Sequence, residues 1–532
     1  MTTRTHGRRS TIALVAAVAL TLSTGAIGWA ANDVLGPSSD LHLDLSNSLV
    51  DSAATLTGQA QADALLLASI PAATWLTQGT PAEIQELAHD VVTAAAAVDE
   101  VPTLVAYNIP FRDCALYSAG GATSVADYEA WIDAVAAGIG SEDAVVLLEP
   151  DGLGVIPWNT DINGNPEWCQ PGDVDPATAV TDRYAMMNYA VDVFAALPST
   201  AVYLDGTNSA WLGVGDSADR LTKAGVARAD GFFLNVSNYQ FTENSVQYGT
   251  WVSQCLAMGD FVNCANQYWN GGPDGTMIAD LLGAWTGGAL RTTGIWSDTA
   301  PEPELNTSGI NARFAGAVPT THFVVDTSRN GLGPWVAPPG VYPDAQDWCN
   351  PPARGLGMRP TTDTGNDLVD AFMWIKIPGE SDGLCLRGTT GPEDPERGMI
   401  DPAAGAWFTE QARELIELAV PPVAAQTCEV SYTTHDSRRG TFTAQIRVKN
   451  IGTTTIRGWD LAFAFGDNQT IKHDRHSQIE QVGSVVTISS DRHNATIRPG
   501  ARTTINLTGR TNGGANSEPL LFVLNGGGCT LK

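Results

Sequence analysis

Six acidic or basic side chains stand just beyond short apolar runs in this chain, where a side chain can be aimed at a substrate. Asp151 follows Leu147-Leu148-Glu149-Pro150, and Asp113 follows Tyr107 through Arg112. Asp205 closes Tyr203-Leu204, while Lys376, Glu380 and Asp382 follow Trp374-Ile375. Carboxylates converging in one cleft repel each other's charge, so the pKa of one rises until it stays protonated near neutral pH. A protonated carboxyl beside an ionised one is the acid and base pair of glycoside hydrolysis. Each Asp alone would serve equally well as a helix cap or a turn. Their recurrence at strand ends, with Trp75, Trp211 and Trp348 beside similar junctions, favours chemistry. The sequence has no G-x-S-x-G elbow between strand and helix, no P-loop and no His–carboxylate metal spacing, so neither a metal nor a cofactor is expected.

The elements that must position these groups are legible in the apolar pattern. Runs at 103–108, 144–148, 200–204, 231–234, 321–325 and 371–375 read as buried parallel strands. Amphipathic stretches at 81–98, 124–139 and 182–196 read as helices between them. Alternating strands and helices imply an α/β barrel, with working residues at the strands' C-terminal ends. Near residue 420 the pattern changes. Short alternating strands at 441–449, 459–465 and 484–489, separated by Thr, Gly and Asn turns, predict an all-β sandwich over 428–532. Residues 421–427 form a short connector.

The 58 Asp+Glu against 29 Lys+Arg give a net charge of −29 over 532 residues, which disfavours nucleic acid and anionic membranes as partners. A hydrophobic content of 43% excludes a disordered chain. Arg4, Arg8 and Arg9, an apolar run from Ile12 to Leu22 and the small residues around Gly28-Trp29-Ala30 read as an export signal over 1–30, with Sec and twin-arginine routes both open. Secretion is therefore expected, and with it disulfides among the 8 Cys. The spacing suggests Cys114 with Cys169, Cys255 with Cys264, Cys349 with Cys385 and Cys428 with Cys529, although spacing alone leaves the connectivity open.

Tyr107…Arg112-Asp113-Cys114, Glu149-Pro150-Asp151, Tyr203-Leu204-Asp205, Asp326 through Gly331, Trp348-Cys349-Asn350 and Lys376…Gly379-Glu380-Ser381-Asp382-Gly383 occur in this order across 45–420. Together they resemble glycoside hydrolase family 6, the inverting cellulases. The resemblance implies a distorted seven-stranded β/α barrel over 31–420, followed by the sandwich. It makes Asp151 the general acid, Asp113 the neighbour that keeps Asp151 protonated, and Asp382 the base, with a proton relay through water as the competing route. Inversion needs the acid and base carboxyls about 6.5–9.5 Å apart. Tyr107 would press on the reacting sugar, and Trp75, Asp205, Trp211, Trp348, Lys376 and Glu380 would line the glucan subsites. Two positions depart from the family pattern. A His is replaced by Asn208, which could contact sugar but not carry a proton, and a second Trp is replaced by Val214. The short loop 116–125 suits internal cleavage, while the long segment 383–407 could cover one end as in a chain-end cutter. An endoglucanase is the preferred expectation, with a cellobiohydrolase second and a non-catalytic glucan-binding protein third. The partner is a β-glucan and the chain a monomer.

The tail resembles a family 2 carbohydrate-binding module through Cys428-Glu429-Val430, Gly458-Trp459, Asn494-Ala495-Thr496, Pro499-Gly500 and Leu524-Asn525-Gly526…Cys529. The three aromatic positions of cellulose-binding members are polar here, falling in 436–440, at Arg475 and at His493. The tail is therefore expected to be a spacer, or to bind something acidic through Arg438, Arg439, Arg475 and Arg492.

Overall fold

The structure, a computed structural model, describes residues 34–264, 290–437, 440–472 and 478–532. The expected export signal and Arg438, Arg439 and Arg475 lie outside the described residues. Seven parallel strands run in chain order across one sheet: β1 (Thr74–Leu76), β2 (Thr103–Ala106), β3 (Ala144–Leu148), β4 (Thr200–Asp205), β5 (Gly231–Leu234), β6 (His322–Asp326) and β7 (Val369–Met373). β1 and β7 do not pair as strands. The Ala73 amide donates to Trp374 O (2.9 Å) across the seam, so the sheet curls into an incompletely closed barrel.

The strands are apolar on consecutive residues because both faces are buried. Val105, Val145, Leu147, Ala201, Tyr203, Phe233, Val324 and Ala371 fill the barrel interior. Their alternates Leu104, Val146, Leu148, Val202, Leu204, Phe232, Phe323 and Val325 face the outer helices. Helices α1 (Ser48–Thr55) and α2 (Gly58–Ala68) precede the sheet, and α3 (Pro81–Ala96), α4 (Val125–Ile139), α5 (Ala179–Ala195), α6 (Val214–Lys223) and α7 (Thr242–Met258) lie between strands. The start of α3 follows from its sequence: Thr80 and Glu83 form a capping box and Pro81 occupies the first turn. A shorter helix, Thr409–Glu417, closes this part of the chain.

The sandwich is built from two five-stranded sheets. One has the order β13 (Gln478–Val482), β14 (Val485–Ser489), β11 (Asp460–Ala464), β17 (Phe522–Leu524) and β18 (Gly527–Gly528). The other runs β12 (Thr470–Lys472), β16 (Arg502–Arg510), β9 (Thr441–Asn450), β8 (Cys428–Ser437) and β19 (Thr530–Leu531). Short β10 (Ile456–Arg457) pairs with β15 (Thr496–Ile497). Trp459, Phe442, Ile446, Leu461, Phe463 and Ile488 are buried between the two sheets.

The sandwich does not hang free. Leu521 and Val523 share one buried cluster with Leu65, Leu67 and Ala68 of α2 and with Leu415 and Ala419 near the chain's last barrel helix. Half-buried Ala462, Ala464 and Val485 pack against the same cluster. At Gly528 an added Cβ would lie 2.3 Å from Ser69 Oγ, so the two parts approach to backbone contact. The described residues accordingly form one compact unit.

Candidate active site

The C-terminal ends of the strands carry a run of non-glycine residues with left-handed backbone: Phe111 and Asp113 after β2, Glu149 and Asp151 after β3, Thr207 after β4, Asn235 and Ser237 after β5. Such conformations cost about 1–3 kcal/mol each and persist where surrounding contacts enforce them. Glu149 supplies one enforcement. It is fully buried, and its carboxylate accepts from the amides of Asn108 (3.0 Å) and Ile109 (3.0 Å), tying the end of β3 to the loop after β2. Burial pushes its pKa up to about 7. Arg112 supplies another, donating to Thr77 O (2.8 Å) and Ser118 O (3.0 Å) while its guanidinium lies 4.7 Å over the Tyr107 ring.

These loops surround a cleft of about 790 Å³ whose lining includes Asp113, Asp151, Asp382, Lys376 and Glu380. The Asp151 carboxyl is driven well above the usual carboxylate range, first by burial and then by the carboxylates of Asp205, Asp113 and Asp382. Both effects favour its protonated form. Asp113 accepts from the Ser118 amide (2.7 Å), and burial raises its pKa to about 6. Asp382 is bound quite differently. Arg329 grips both of its oxygens at 3.0 Å, and the Tyr239 hydroxyl and Asn350 amide each donate to it at 3.0 Å. Arg329 and Asp382 are 0% and 6% exposed at their side chains, and Arg329 also lies 4.4 Å over the Tyr239 ring.

Asp205 sits beneath the cleft rather than in its lining. Its oxygens accept from the amides of Thr207 (2.8 Å), Leu153 (3.2 Å) and Gly154 (3.2 Å), and burial raises its pKa to about 6. Both of its oxygens are thus engaged by backbone amides, and its carboxyl acts on Asp151 through charge. Lys376 is buried, which lowers its pKa, and its ammonium donates to Ser381 O (3.4 Å). Glu380, raised by burial, accepts from Ser48 Oγ (2.8 Å). Asn208 lines the cleft and accepts from the Ala210 amide (2.9 Å).

Trp75, Tyr107, Trp211 and Trp348 all line the cleft. Trp75 donates from its indole to Ile375 O (2.8 Å) and meets Tyr107 edge-on at 5.4 Å. Trp211 lies flat on Gly154, where an added Cβ would come within 2.5 Å of the indole. Trp348 is tilted against Tyr117, with centroids 6.2 Å apart. Four aromatic residues of the lining escaped the sequence reading: Trp168, 57% exposed, Trp335, Tyr117 and Tyr239. All four stand in loops without periodicity. The one available signal was Trp168's position next to Cys169, which is bonded to Cys114 beside Asp113. Tyr117 joins two loops, accepting from the Leu386 amide (2.9 Å) and donating to Gln346 Oε1 (3.2 Å). The remaining bridges are Cys255–Cys264, Cys349–Cys385 and Cys428–Cys529, and no described cysteine is free.

A carboxyl whose protonated form is favoured, set among further carboxyls at the C-terminal edge of a parallel sheet and flanked by indoles that suit the apolar faces of sugars, is the arrangement expected of a glycoside hydrolase. The chain belongs to glycosyl hydrolases family 6, whose sequence profile matches residues 40–419, and a cellulose binding domain profile matches 428–529. Endoglucanase A of Thermobispora bispora is 28% identical over 469 residues, covering 85% of this chain and 84% of that protein. The "Probable 1,4-beta-D-glucan cellobiohydrolase C" of Aspergillus terreus is 31% identical over 389 residues, 66% of this chain and 68% of that protein. Among solved structures, the CcCel6A catalytic domain complexed with p-nitrophenyl beta-D-cellotrioside shares the fold at a TM-score of 0.50 and 23% identity, covering 74% of this chain and 100% of that one. No described helix is long and apolar enough to cross a membrane.

Proposed function

We propose that this chain is a secreted, inverting hydrolase of β-1,4-glucosidic bonds in cellulose or related β-glucans, acting on internal bonds as a monomer. The catalytic part is assigned to 31–420, with 1–30 as the export signal, 421–427 as connector and 428–532 as the appended module. The observation that carries the reading is the placement of Asp151 in an indole-lined cleft, where burial and three acidic neighbours favour its protonated form. Asp151 gives its proton to the leaving glycosidic oxygen as that oxygen gains charge. Asp113 and Asp205 hold the proton on Asp151 until then. Asp382, with both oxygens engaged by Arg329, is better suited to orient and polarise the attacking water, or a water chain behind it, than to swing toward it. Tyr107 and Trp75 press on the reacting sugar, and Trp211 and Trp348 carry its neighbours.

Product analysis on cellopentaose tests this. Proton NMR of the fresh product should show the α-anomer first, and Asp151→Asn should lower kcat by about 10²–10⁴-fold, the usual worth of a general acid. A β-anomer as first product, or an unimpaired Asp151→Asn enzyme, would overturn it. The Tyr117 junction with Gln346 and Leu386 favours a second reading, chain-end cleavage in a partly enclosed groove. Viscosity loss per reducing end on carboxymethylcellulose separates the two: a steep early fall means internal cutting, and a flat response means chain-end cutting.

A further inference from the structure

The sandwich contrasts in charge with the body it is docked on. Residues 428–532 carry 12 Lys+Arg against 8 Asp+Glu, while the preceding residues carry 17 against 50. One of its sheets is covered, since Ala462, Ala464, Val485 and Val523 of the β14–β11–β17 sheet pack toward the barrel cluster. The other sheet keeps its outer face uncovered, and that face is concave. A groove of about 630 Å³ runs across β8, β9, β16 and β12, within the range of small-ligand sites.

The floor of this groove is polar by strand register. Lys472, Thr508, Thr443 and His435 form one row across the four strands. Asn506, Gln445 and Thr433 form the next, with Gln445 donating to Asn506 (3.1 Å). Arg447 heads the third, between Thr504 and Ser431. Among the described residues, neither Arg447 nor Lys472 forms an ion pair, and no carboxylate lines the groove. Two acids flank it on the β8 side: Glu429 lies against Lys449 (3.9 Å) and Lys532 (3.4 Å), and Glu518 accepts from the Thr434 amide (3.2 Å). Among the described residues no Trp, Tyr or Phe lines it, and its one ring is the imidazole of His435.

We propose that this groove binds a β-linked polysaccharide bearing sparse carboxylates, that is, a uronate-substituted glycan. Hydroxyls and amides at β-strand spacing match sugar hydroxyls, and Arg447 offers a forked contact to a carboxylate, with Lys472 as a second cation. Without a Trp, Tyr or Phe platform, neutral glycan chains lack their main apolar contact. Nucleic acid fits poorly, because a lone imidazole is a small platform for bases and a dense polyanion is repelled by the acidic body. The site is separate from the catalytic cleft, so it does not depend on which bond that cleft cuts.

Affinity electrophoresis of the full chain tests the proposal, in native gels containing 4-O-methylglucuronoxylan, the same polymer after carboxyl reduction, or duplex DNA. The expected result is retardation by the acidic glycan alone, weakened about tenfold in Arg447→Ser/Lys472→Ser. These are surface substitutions, and unchanged turnover of cellopentaose together with an unchanged Tm verifies folding. A second variant, Asn506→Ala, should weaken binding without changing its salt dependence. Lack of retardation of the parent chain, equal retardation of the double variant, equal binding of the reduced polymer, or equal binding of duplex DNA would each overturn the proposal.

Discussion

Replacing Arg329 by Met keeps a buried, unbranched side chain and removes the guanidinium. The two 3.0 Å bonds to the Asp382 oxygens vanish, and with them the 2.7 Å bond to Ser237 O and the contact over the Tyr239 ring. Asp382 keeps the Tyr239 hydroxyl and the Asn350 amide, which do not neutralise a buried charge. Breaking one partner of a buried ion pair costs about 3–5 kcal/mol. Asp382→Asn should cost a similar amount, because it strands the guanidinium. The double variant removes both charges together, so its cost should fall short of the sum by about 2–4 kcal/mol. Scanning calorimetry at neutral pH reads the effect as Tm. At roughly 1–2 °C per kcal/mol for a unit of this size, each single variant should fall about 5 °C, and the double variant well short of 10 °C below the parent. Additive Tm losses, with coupling under about 0.5 kcal/mol, would refute the argument that this pair is the anchor of the site.

Glu149, buried with a pKa of about 7 against 4.5 when free, favours the folded state most while protonated. Its stabilisation is complete below pH 4.5 and is lost as pH rises through 7, by about 3 kcal/mol in all. Asp205, raised to about 6, acts in the same direction. Tm should therefore fall between pH 5 and pH 8, and Glu149→Gln should flatten that slope; a slope unchanged in the variant would contradict it. Gly154→Ala forces a Cβ to within 2.5 Å of the Trp211 indole and should tilt it, raising KM for cellopentaose several-fold with a smaller change in kcat, measured by steady-state kinetics. Tyr117→Phe removes the hydroxyl that joins Gln346 and Leu386, and should steepen early viscosity loss per reducing end on carboxymethylcellulose.

The barrel strands were legible because burial on both faces leaves an unbroken apolar run, as at 144–148, which is β3 to the residue. β1 was not, since Thr74–Leu76 is too short to carry a period. The acidic junctions were legible as positions but not as orientations. Asp151 stands just past β3 and Asp205 ends β4, yet one lines the cleft and the other turns down onto the amides of Leu153 and Gly154. That choice depends on loop backbone angles, such as the left-handed conformations at Glu149 and Asp151, which no propensity encodes. The partners of Asp382 were hidden by distance along the chain: Tyr239 is 143 residues away and Arg329 is 53. The sandwich was legible from its alternation, with Trp459 in its core. Its docking was not, because Leu521 and Val523 look the same in sequence whether they fill a domain's own interior or a seam between two.

That seam makes the tail a structural member as well as an appendage. A proteolytic cut in the connector would leave the barrel wearing a bare leucine stripe, from Leu65 and Leu67 to Leu415, that water has not met before. The released fragment would be stickier and less heat-tolerant than its parent even with every acid in place.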